Sequence, residues 1–240
     1  YAPAQVVLAM KAQLPALEHV IAIGGAPQGA VEYGSLATSD APLPNDLAPA
    51  PADPLLLLYT SGTRASPKAV PQTHQAMLGN ARLGAPEHGI GAGDVLLCAA
   101  SFSHLFGLYS FHLAASVGAA SLLLPAFTPA DLARAIAQGR PSVLFADPAH
   151  LGAMLESGPL DSTDLSSIRL VVCSGSACPP EFARAVAARL RNGRFSQLWG
   201  MAEAQAGLYT RPGDPPELAT VSVGRPSPGT EVRIALADGS

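Results

Sequence analysis

A segment of 36 residues, 95–130, contains no Asp, Glu, Lys or Arg. Charged side chains are excluded both from membranes and from protein cores. A charge-free segment of this length therefore indicates either a membrane-spanning segment or a segment buried in a protein core. His104, His112, Gly118 and Pro125 divide it into pieces of strand and helix length. The pattern therefore favours a strand, a loop, a helix and a second strand inside an α/β protein, where parallel strands covered on both faces are continuously apolar.

Apolar runs of strand length alternate with helical segments along most of the chain. Strands are predicted at 19–23, 95–100, 142–146, 168–173 and 195–199, and helices at 4–14, 129–138, 148–156 and 180–191. Residues 29–54 show little periodicity and are predicted to be a surface connection. Such an alternation predicts an α/β fold with a mostly parallel sheet, right-handed crossovers and flanking helices.

Residues 55–74, LLLLYTSGTRASPKAVPQTH, join an apolar strand to a loop of small hydroxyl residues, and a helix can begin at Thr73. Hydroxyl and backbone N–H groups can bind phosphate oxygens, Gly62 permits close approach of the main chain, and Lys68 adds a positive charge. The segment lacks the GxxxxGK[ST] pattern of a Walker A loop. It predicts a polyphosphate site, with a Ser/Thr/Gly surface loop as the alternative.

Three further loops follow predicted strands: SFSHLFG at 101–107, SGSA at 174–177 and GMAE at 200–203. Ligands of open parallel sheets bind beyond the carboxyl ends of the strands. Together with the loop after residue 60, these segments are predicted to lie on one edge of the sheet and to form a single cleft.

The motifs resemble those of the adenylate-forming enzymes, the superfamily of acyl- and aryl-CoA ligases, peptide-synthetase adenylation domains and luciferases. YTSGTRASPKAV at 59–70 is similar to the signature YTSGTTGxPKGV, and WGMAE at 199–203 is similar to YGMTE. SGSA followed by PPE at 179–181 resembles the adenine-side loop, and SVGRP at 222–226 with PGTEVRI at 228–234 resembles the segment after the nucleotide site. The order of these motifs is most like that of an acyl-CoA ligase, within its large N-terminal domain.

The resemblance implies a role for particular residues. Lys68 and Glu203 are expected to act in catalysis as charge stabilisers, with Glu203 and Thr63 binding Mg²⁺. Residues expected at the nucleotide are Thr60, Ser61, Gly62, Thr63, Gly175, Ser176, Ala177, Trp199, Gly200 and Met201. Residues expected at the acid are His104, Phe106 and Gly107. The alternatives are that Glu203 is a solvated carboxylate at a helix start and that His104 is a core histidine.

The implied reaction is ATP-dependent activation of a carboxylic acid to an acyl-adenylate, followed by transfer to CoA, with ATP, Mg²⁺ and coenzyme A as cofactors or co-substrates. The apolar surroundings of His104 indicate a fatty, alicyclic or aromatic acid, which places fatty acid metabolism among the candidate roles. Ser103 stands where peptide-synthetase domains usually carry an Asp, which argues against an α-amino acid. Because Arg64, Ala65 and Ala202 depart from the family pattern, two alternatives stay open: a non-catalytic nucleotide- or acyl-binding module, and an adenylation domain that loads a carrier protein.

Composition excludes other classes of protein and partner. The net charge of −4 and the lack of a basic stripe argue against nucleic acid as a partner. Cys98, Cys173 and Cys178 have no CxxC spacing and are expected to be free thiols in a reducing cytoplasm. The expected partners are a small carboxylic acid, ATP and CoA, with no transmembrane segment and with a second copy of the chain as a further candidate.

The domain organisation is expected to be that of a fragment. Residues 1–54 are predicted to end a preceding α/β subdomain and lead into a surface connection, 55–220 to form the nucleotide- and acyl-binding α/β region, and 221–240 to start a β-rich segment. The family's C-terminal lysine-bearing domain would follow residue 240. The chain alone is therefore expected to be inactive.

Overall fold

The computed structural model describes residues 2–38, 48–60 and 67–235. Contacts divide the chain into two compact units, residues 1–48 and residues 49–240.

The N-terminal unit contains short elements. They are helix α1 (Ala2–Ala9), a 3-10 turn (Lys11–Gln13), strand β1 (Ile21–Ala22) in parallel pairing with β2 (Val31–Glu32), and helix α2 (Tyr33–Leu36). The helix and strand expected at 4–14 and 19–23 are thus shorter than predicted. β2 and α2 fall within the expected connection at 29–54, and that part of the prediction was wrong because elements of two and four residues are too short to show a period.

The larger unit alternates strands and helices. Its strands are β3 (Pro54–Thr60), β4 (Lys68–Thr73), β5 (Val95–Cys98), β6 (Ala120–Leu122), β7 (Val143–Ala146), β8 (Leu170–Cys173), β9 (Arg194–Met201), β10 (Gln205–Tyr209) and β11 (Arg225–Pro226). Its helices are α3 (His74–Glu87), α4 (Leu105–Val117), α5 (Pro129–Gly139), α6 (Pro148–Glu156), α7 (Pro159–Ser162), α8 (Pro180–Ala187) and α9 (Leu218–Val221).

A seven-stranded sheet in the order β11-β10-β9-β8-β7-β5-β6 forms the centre of this unit. The strands from β9 to β6 are parallel, and β10 and β11 are antiparallel. This arrangement confirms the predicted α/β fold with a mostly parallel sheet and flanking helices. β10 was not predicted, since it follows β9 through a turn of only a few residues that sequence analysis treated as a loop.

The two central strands are buried on both faces. All four residues of β7 and of β8 are buried. Along β7, Leu144 and Ala146 pack into one hydrophobic cluster while Val143 and Phe145 pack into the other, as the alternation of side chains in a strand requires. The charge-free segment supplies β5, α4 and β6 to this core. Within the described part of the chain, no helix is long and apolar enough to cross a membrane.

Side-chain caps fix the start of helices that lead away from the sheet. The Thr73 hydroxyl accepts a hydrogen bond of 3.1 Å from the backbone N–H of Ala76, and Thr128 accepts one of 3.0 Å from Asp131. Both helix starts were predicted from these residues. Asp147 caps α6 in the same way, accepting from the backbone N–H of His150 at 2.8 Å.

The strand before the predicted phosphate loop does not belong to the large sheet. Among the residues that the structure describes, β3 pairs only with β4, as an antiparallel hairpin in which Thr60 lies opposite Lys68. The expectation that four loops leave one sheet edge was therefore wrong for this loop, because an apolar run predicts a strand but does not identify its partner.

Candidate functional site

Two cavities adjoin at the carboxyl ends of the parallel strands. The first, cavity A, encloses about 320 Å³, and its wall includes His104, Phe106, Tyr109 and Met201. The second, cavity B, encloses about 550 Å³ and has Ser176, Ala177 and Trp199 in its wall. Four residues line both cavities: Ser174, Gly175, Leu198 and Gly200. A ligand could therefore occupy both spaces across this shared wall.

The inner end of cavity A is apolar and closed by an aromatic side chain. The Phe106 ring lies 5.6 Å from that of Phe145. Tyr109 is 4% exposed, and its hydroxyl is 3.3 Å from Nε2 of His88. A Cβ on Gly84 would overlap the Tyr109 hydroxyl, so glycine at this position of α3 makes room for the ring. Tyr109 thus forms a buried floor of the cavity.

His88 supports this floor and is itself fully buried. Burial, together with the nearby positive charge of Arg211, lowers the pKa of His88 to about 3. The imidazole is therefore neutral at physiological pH. Its ring also lies 4.4 Å from that of Tyr209, while Arg211 is paired with Glu87.

Cavity B offers a flat aromatic surface beside a glycine loop. Trp199 is 44% exposed, and its ring lies over Gly207, where an added Cβ would stand 3.0 Å from Cζ3 of the indole. Gly175 has φ of +95°, a conformation that favours glycine. Loop 174–177 can therefore curve around the cavity with its backbone exposed to a ligand.

Two glutamines attach the β3–β4 hairpin to the cavities. Gln72 on β4 donates from Nε2 to the carbonyl oxygen of Ala202 at 2.6 Å, and Gln205 donates from Nε2 to Oε1 of Gln72. Gln205 lines cavity A and has φ of +61°, a strained conformation for a residue other than glycine. These bonds hold β4, which begins at Lys68, against the turn that carries Glu203.

The positions of the predicted catalytic residues are as follows. Lys68 is exposed at the start of β4, Thr60 ends β3, and Glu203 is exposed in the turn between β9 and β10, so it does not stand at a helix start. Five residues of the phosphate loop that carried predictions or departures lie outside the described residues: Ser61, Gly62, Thr63, Arg64 and Ala65.

The predicted acid and nucleotide residues divide only partly between the cavities, since Met201, predicted at the nucleotide, lines cavity A alone and Gly175 and Gly200 line both. His104 and Phe106 line cavity A with Met201, while Ser176, Ala177 and Trp199 line cavity B. Gly107 has a packing role instead. A Cβ there would overlap the carbonyl oxygen of Ser101, so glycine lets α4 approach the end of β5.

Sequence reasoning missed several residues of the site, among them Gln72, Gln205, Tyr109 and Asp147. The Asp-Pro pair at 147–148 is a helix-start signal that could have identified Asp147. The glutamines and Tyr109 carry no such local signal, since their roles depend on contacts between distant segments. Among residues 2–38, 48–60 and 67–235, no group of three or more His, Cys, Asp or Glu side chains is placed to bind a metal.

A mostly parallel sheet with adjoining cavities at its strand ends is the arrangement found in α/β proteins that bind ligands at the carboxyl edge of the sheet. In a comparison with known protein families, the family described as AMP-binding enzyme matches residues 2–240. The chain belongs to this family of adenylate-forming enzymes.

Individual relatives agree with this assignment. The chain is 36% identical over 232 residues to a salicyl-AMP ligase / salicyl-S-ArCP synthetase of Mycobacterium tuberculosis. This match covers 94% of the chain and 40% of the relative. It is 34% identical over 215 residues to 4-coumarate–CoA ligase 2 of Oryza sativa subsp. japonica, covering 87% of the chain and 37% of the relative. The chain thus spans about 40% of the length of these relatives.

A solved structure has the same fold. The anthranilate CoA ligase AuaEII, in complex with anthranoyl-AMP, matches with a TM-score of 0.85 at 26% identity, over 97% of this chain and 45% of that one.

Proposed function

We propose that the full protein activates a small aromatic carboxylic acid with ATP to an aryl-adenylate and then transfers the aryl group to a thiol. The observation that carries this proposal is the shared wall of cavities A and B, formed by Ser174, Gly175, Leu198 and Gly200. An acyl-adenylate has an acid part and a nucleotide part joined by one phosphate, which suits two adjoining cavities. In this assignment the acid occupies cavity A, and adenine stacks on Trp199 in cavity B.

The choice of acid rests on the size and chemistry of cavity A. About 320 Å³ is at the lower end of ligand-binding cavities, and Tyr109 closes its inner end. The rings of Phe106 and Tyr109 favour edge or stacked contacts with another ring. Relatives named for salicylate and 4-coumarate, and a structure with anthranoyl-AMP, are consistent with a ring-bearing acid.

Adenylation brings a carboxylate and a polyphosphate together, so the site must offset two like charges. In the proposed site, Lys68 and the hydroxyls of its loop bind phosphate oxygens. Mg²⁺ takes few protein ligands and keeps water and phosphate oxygens around it, so a single exposed carboxylate such as Glu203 fits its needs. The ion would supply charge neutralisation at the phosphates.

The thiol acceptor has two candidates. Coenzyme A is the acceptor proposed here, in line with relatives named as CoA ligases. An aryl carrier protein is the second candidate, favoured by the relative named salicyl-S-ArCP synthetase. Supplying the adenylating protein with CoA or with a holo-carrier protein distinguishes them, because only the true acceptor gives steady thioester formation.

Acid-dependent pyrophosphate exchange by the full-length protein tests the first step. Benzoate, salicylate and anthranilate should support exchange better than hexanoate or decanoate. Tyr109→Ala should shift the preference toward longer acids by deepening cavity A, whereas Tyr109→Phe keeps the ring and should keep the preference. If decanoate supports exchange by the wild type as well as or better than the aromatic acids do, the choice of acid is refuted. If none of the tested acids supports exchange, the proposed activity is refuted.

A further inference from the structure

One acidic side chain lies in the wall of cavity A. Asp147 stands between the end of β7 and the start of α6, and it lines this cavity with 30% of its side chain exposed. Among the described residues of the same wall there is no lysine or arginine, so no fixed positive charge pairs with Asp147 from within the cavity. The adenylation chemistry proposed above assigns this carboxylate no role.

The two carboxylate oxygens of Asp147 have different surroundings. Oδ1 accepts the hydrogen bond of 2.8 Å from the backbone N–H of His150 that caps α6. Within residues 2–38, 48–60 and 67–235, no donor forms a hydrogen bond with Oδ2. Because the cap occupies Oδ1, Oδ2 is the oxygen that a ligand can use.

The neighbouring imidazole of His150 does not neutralise this carboxylate. Its Nδ1 lies 3.0 Å from Oδ1 of Asp147 and accepts a hydrogen bond of 3.4 Å from the backbone N–H of the same residue. Burial lowers the pKa of His150 despite the nearby Asp147 charge, so the imidazole is neutral at physiological pH. Asp147 therefore presents an unneutralised hydrogen-bond acceptor to a ligand in cavity A.

Asp147 also stands beside the wall that cavities A and B share. A Cβ built on Gly175, one of the shared residues, would lie 3.3 Å from Cβ of Asp147. In the proposed adenylate the carboxyl carbon of the acid lies at this wall, because it is joined there to the phosphate of the nucleotide. The ring carbon next to the carboxyl group is therefore the part of the ring nearest to Asp147.

We propose that Asp147 is a specificity-determining residue, which selects aromatic acids with an amino group on the ring carbon next to the carboxyl group. The inference rests on the function proposed above and narrows its substrate class to acids of the 2-aminobenzoate type. One N–H of such an amino group bonds the acid's own carboxyl oxygen, and the other donates to Oδ2 of Asp147. A ring without a donor in that place removes water from the carboxylate and gives no hydrogen bond in return, which weakens binding.

Binding of acyl-sulfamoyl-adenosine probes to the full-length protein, measured by isothermal titration calorimetry, tests this selection. Wild type should bind the 2-aminobenzoyl probe at least about tenfold more tightly than the benzoyl probe, the scale of one hydrogen bond to a charged group. The 2-hydroxybenzoyl probe should fall between them, because it has one proton for two acceptors. The 4-aminobenzoyl probe carries its donor on the far side of the ring and should bind no more tightly than the benzoyl probe.

Two variants of Asp147 keep the helix cap, since Asn and Ser both serve as N-caps. In Asp147→Asn the amide oxygen accepts from the His150 N–H, so the NH₂ group takes the place of Oδ2. The preference for the 2-aminobenzoyl probe should disappear, and a 2-methoxybenzoyl probe, which offers an acceptor, should bind more tightly than it binds wild type. Asp147→Ser should also lose the preference. The matched control is Asp131→Asn, which removes a carboxylate from the first turn of α5, outside cavity A, and should keep it.

The outcomes separate this inference from the proposed function. If Asp147 acted only as a cap, its replacement would weaken binding of all probes by the same factor. Equal affinity of wild type for the 2-aminobenzoyl and benzoyl probes, or a preference that survives in Asp147→Asn, would overturn the inference and leave the proposed function in place. If wild type binds none of the probes, the proposed function fails, and the selection by Asp147 fails with it.

Discussion

Acidification should destabilise the protein through His88. Its imidazole is fully buried, and burial, with the Arg211 charge, lowers its pKa from the usual 6.5 to about 3. Above pH 6.5 the ring is neutral in the folded and unfolded states, and the contribution of the His88 protonation equilibrium to the free energy of unfolding is fully present. As the pH falls from 6.5 toward 3, only the unfolded chain binds the proton, so the free energy of unfolding falls by about 1.4 kcal/mol per pH unit. At about pH 5 the loss is therefore about 2 kcal/mol.

The measurement compares wild type with His88→Gln, whose amide can still hydrogen-bond the Tyr109 hydroxyl. Denaturant unfolding followed by the fluorescence of Trp199, the single tryptophan, gives the free energy of unfolding at about pH 7.5 and about pH 5. His112 and His150 also have pKa values lowered by burial, but both remain in the variant, so the difference between the two curves isolates His88. The variant should start less stable and lose about 2 kcal/mol less on acidification. Parallel losses in the two proteins would refute the reasoning.

Three further changes test other parts of the site. In the full-length protein, Lys68→Ala should lower kcat/KM for adenylation by on the order of 10²-fold, because a charge stabiliser is lost, and unchanged pyrophosphate exchange would contradict that role. Ala202→Thr restores the hydroxyl of the family motif and should raise the exchange rate; if neither protein shows exchange, the chain is a binding module instead. Thr73→Ala should lower the free energy of unfolding by about 1 kcal/mol through loss of the α3 cap, while Thr73→Ser, which keeps the hydroxyl acceptor, should lose much less.

Much of the fold followed from local patterns. The continuous apolar runs of β5, β7 and β8 predicted buried parallel strands, and each of the three has a parallel neighbour on both sides in the sheet. Thr73 and Thr128 marked the starts of α3 and α5, because a cap is a contact between residues three apart. His104 and Trp199 were identified through motifs, and they line the two cavities.

The assembly of the site was decided by contacts that no local pattern carries. Gln72 and Gln205 are 133 residues apart, and their bond places the β3–β4 hairpin beside the β9–β10 turn. Tyr109 forms the cavity floor because its hydroxyl passes Gly84 and contacts His88, which lies 21 residues from Tyr109 in the sequence. The chain by itself thus determined the strands, the helix starts and the motif-bearing loops, since these arise from residues close in sequence. Only the tertiary structure decided the hairpin's attachment and the cavity floor, since each requires side chains from separate segments to meet in space.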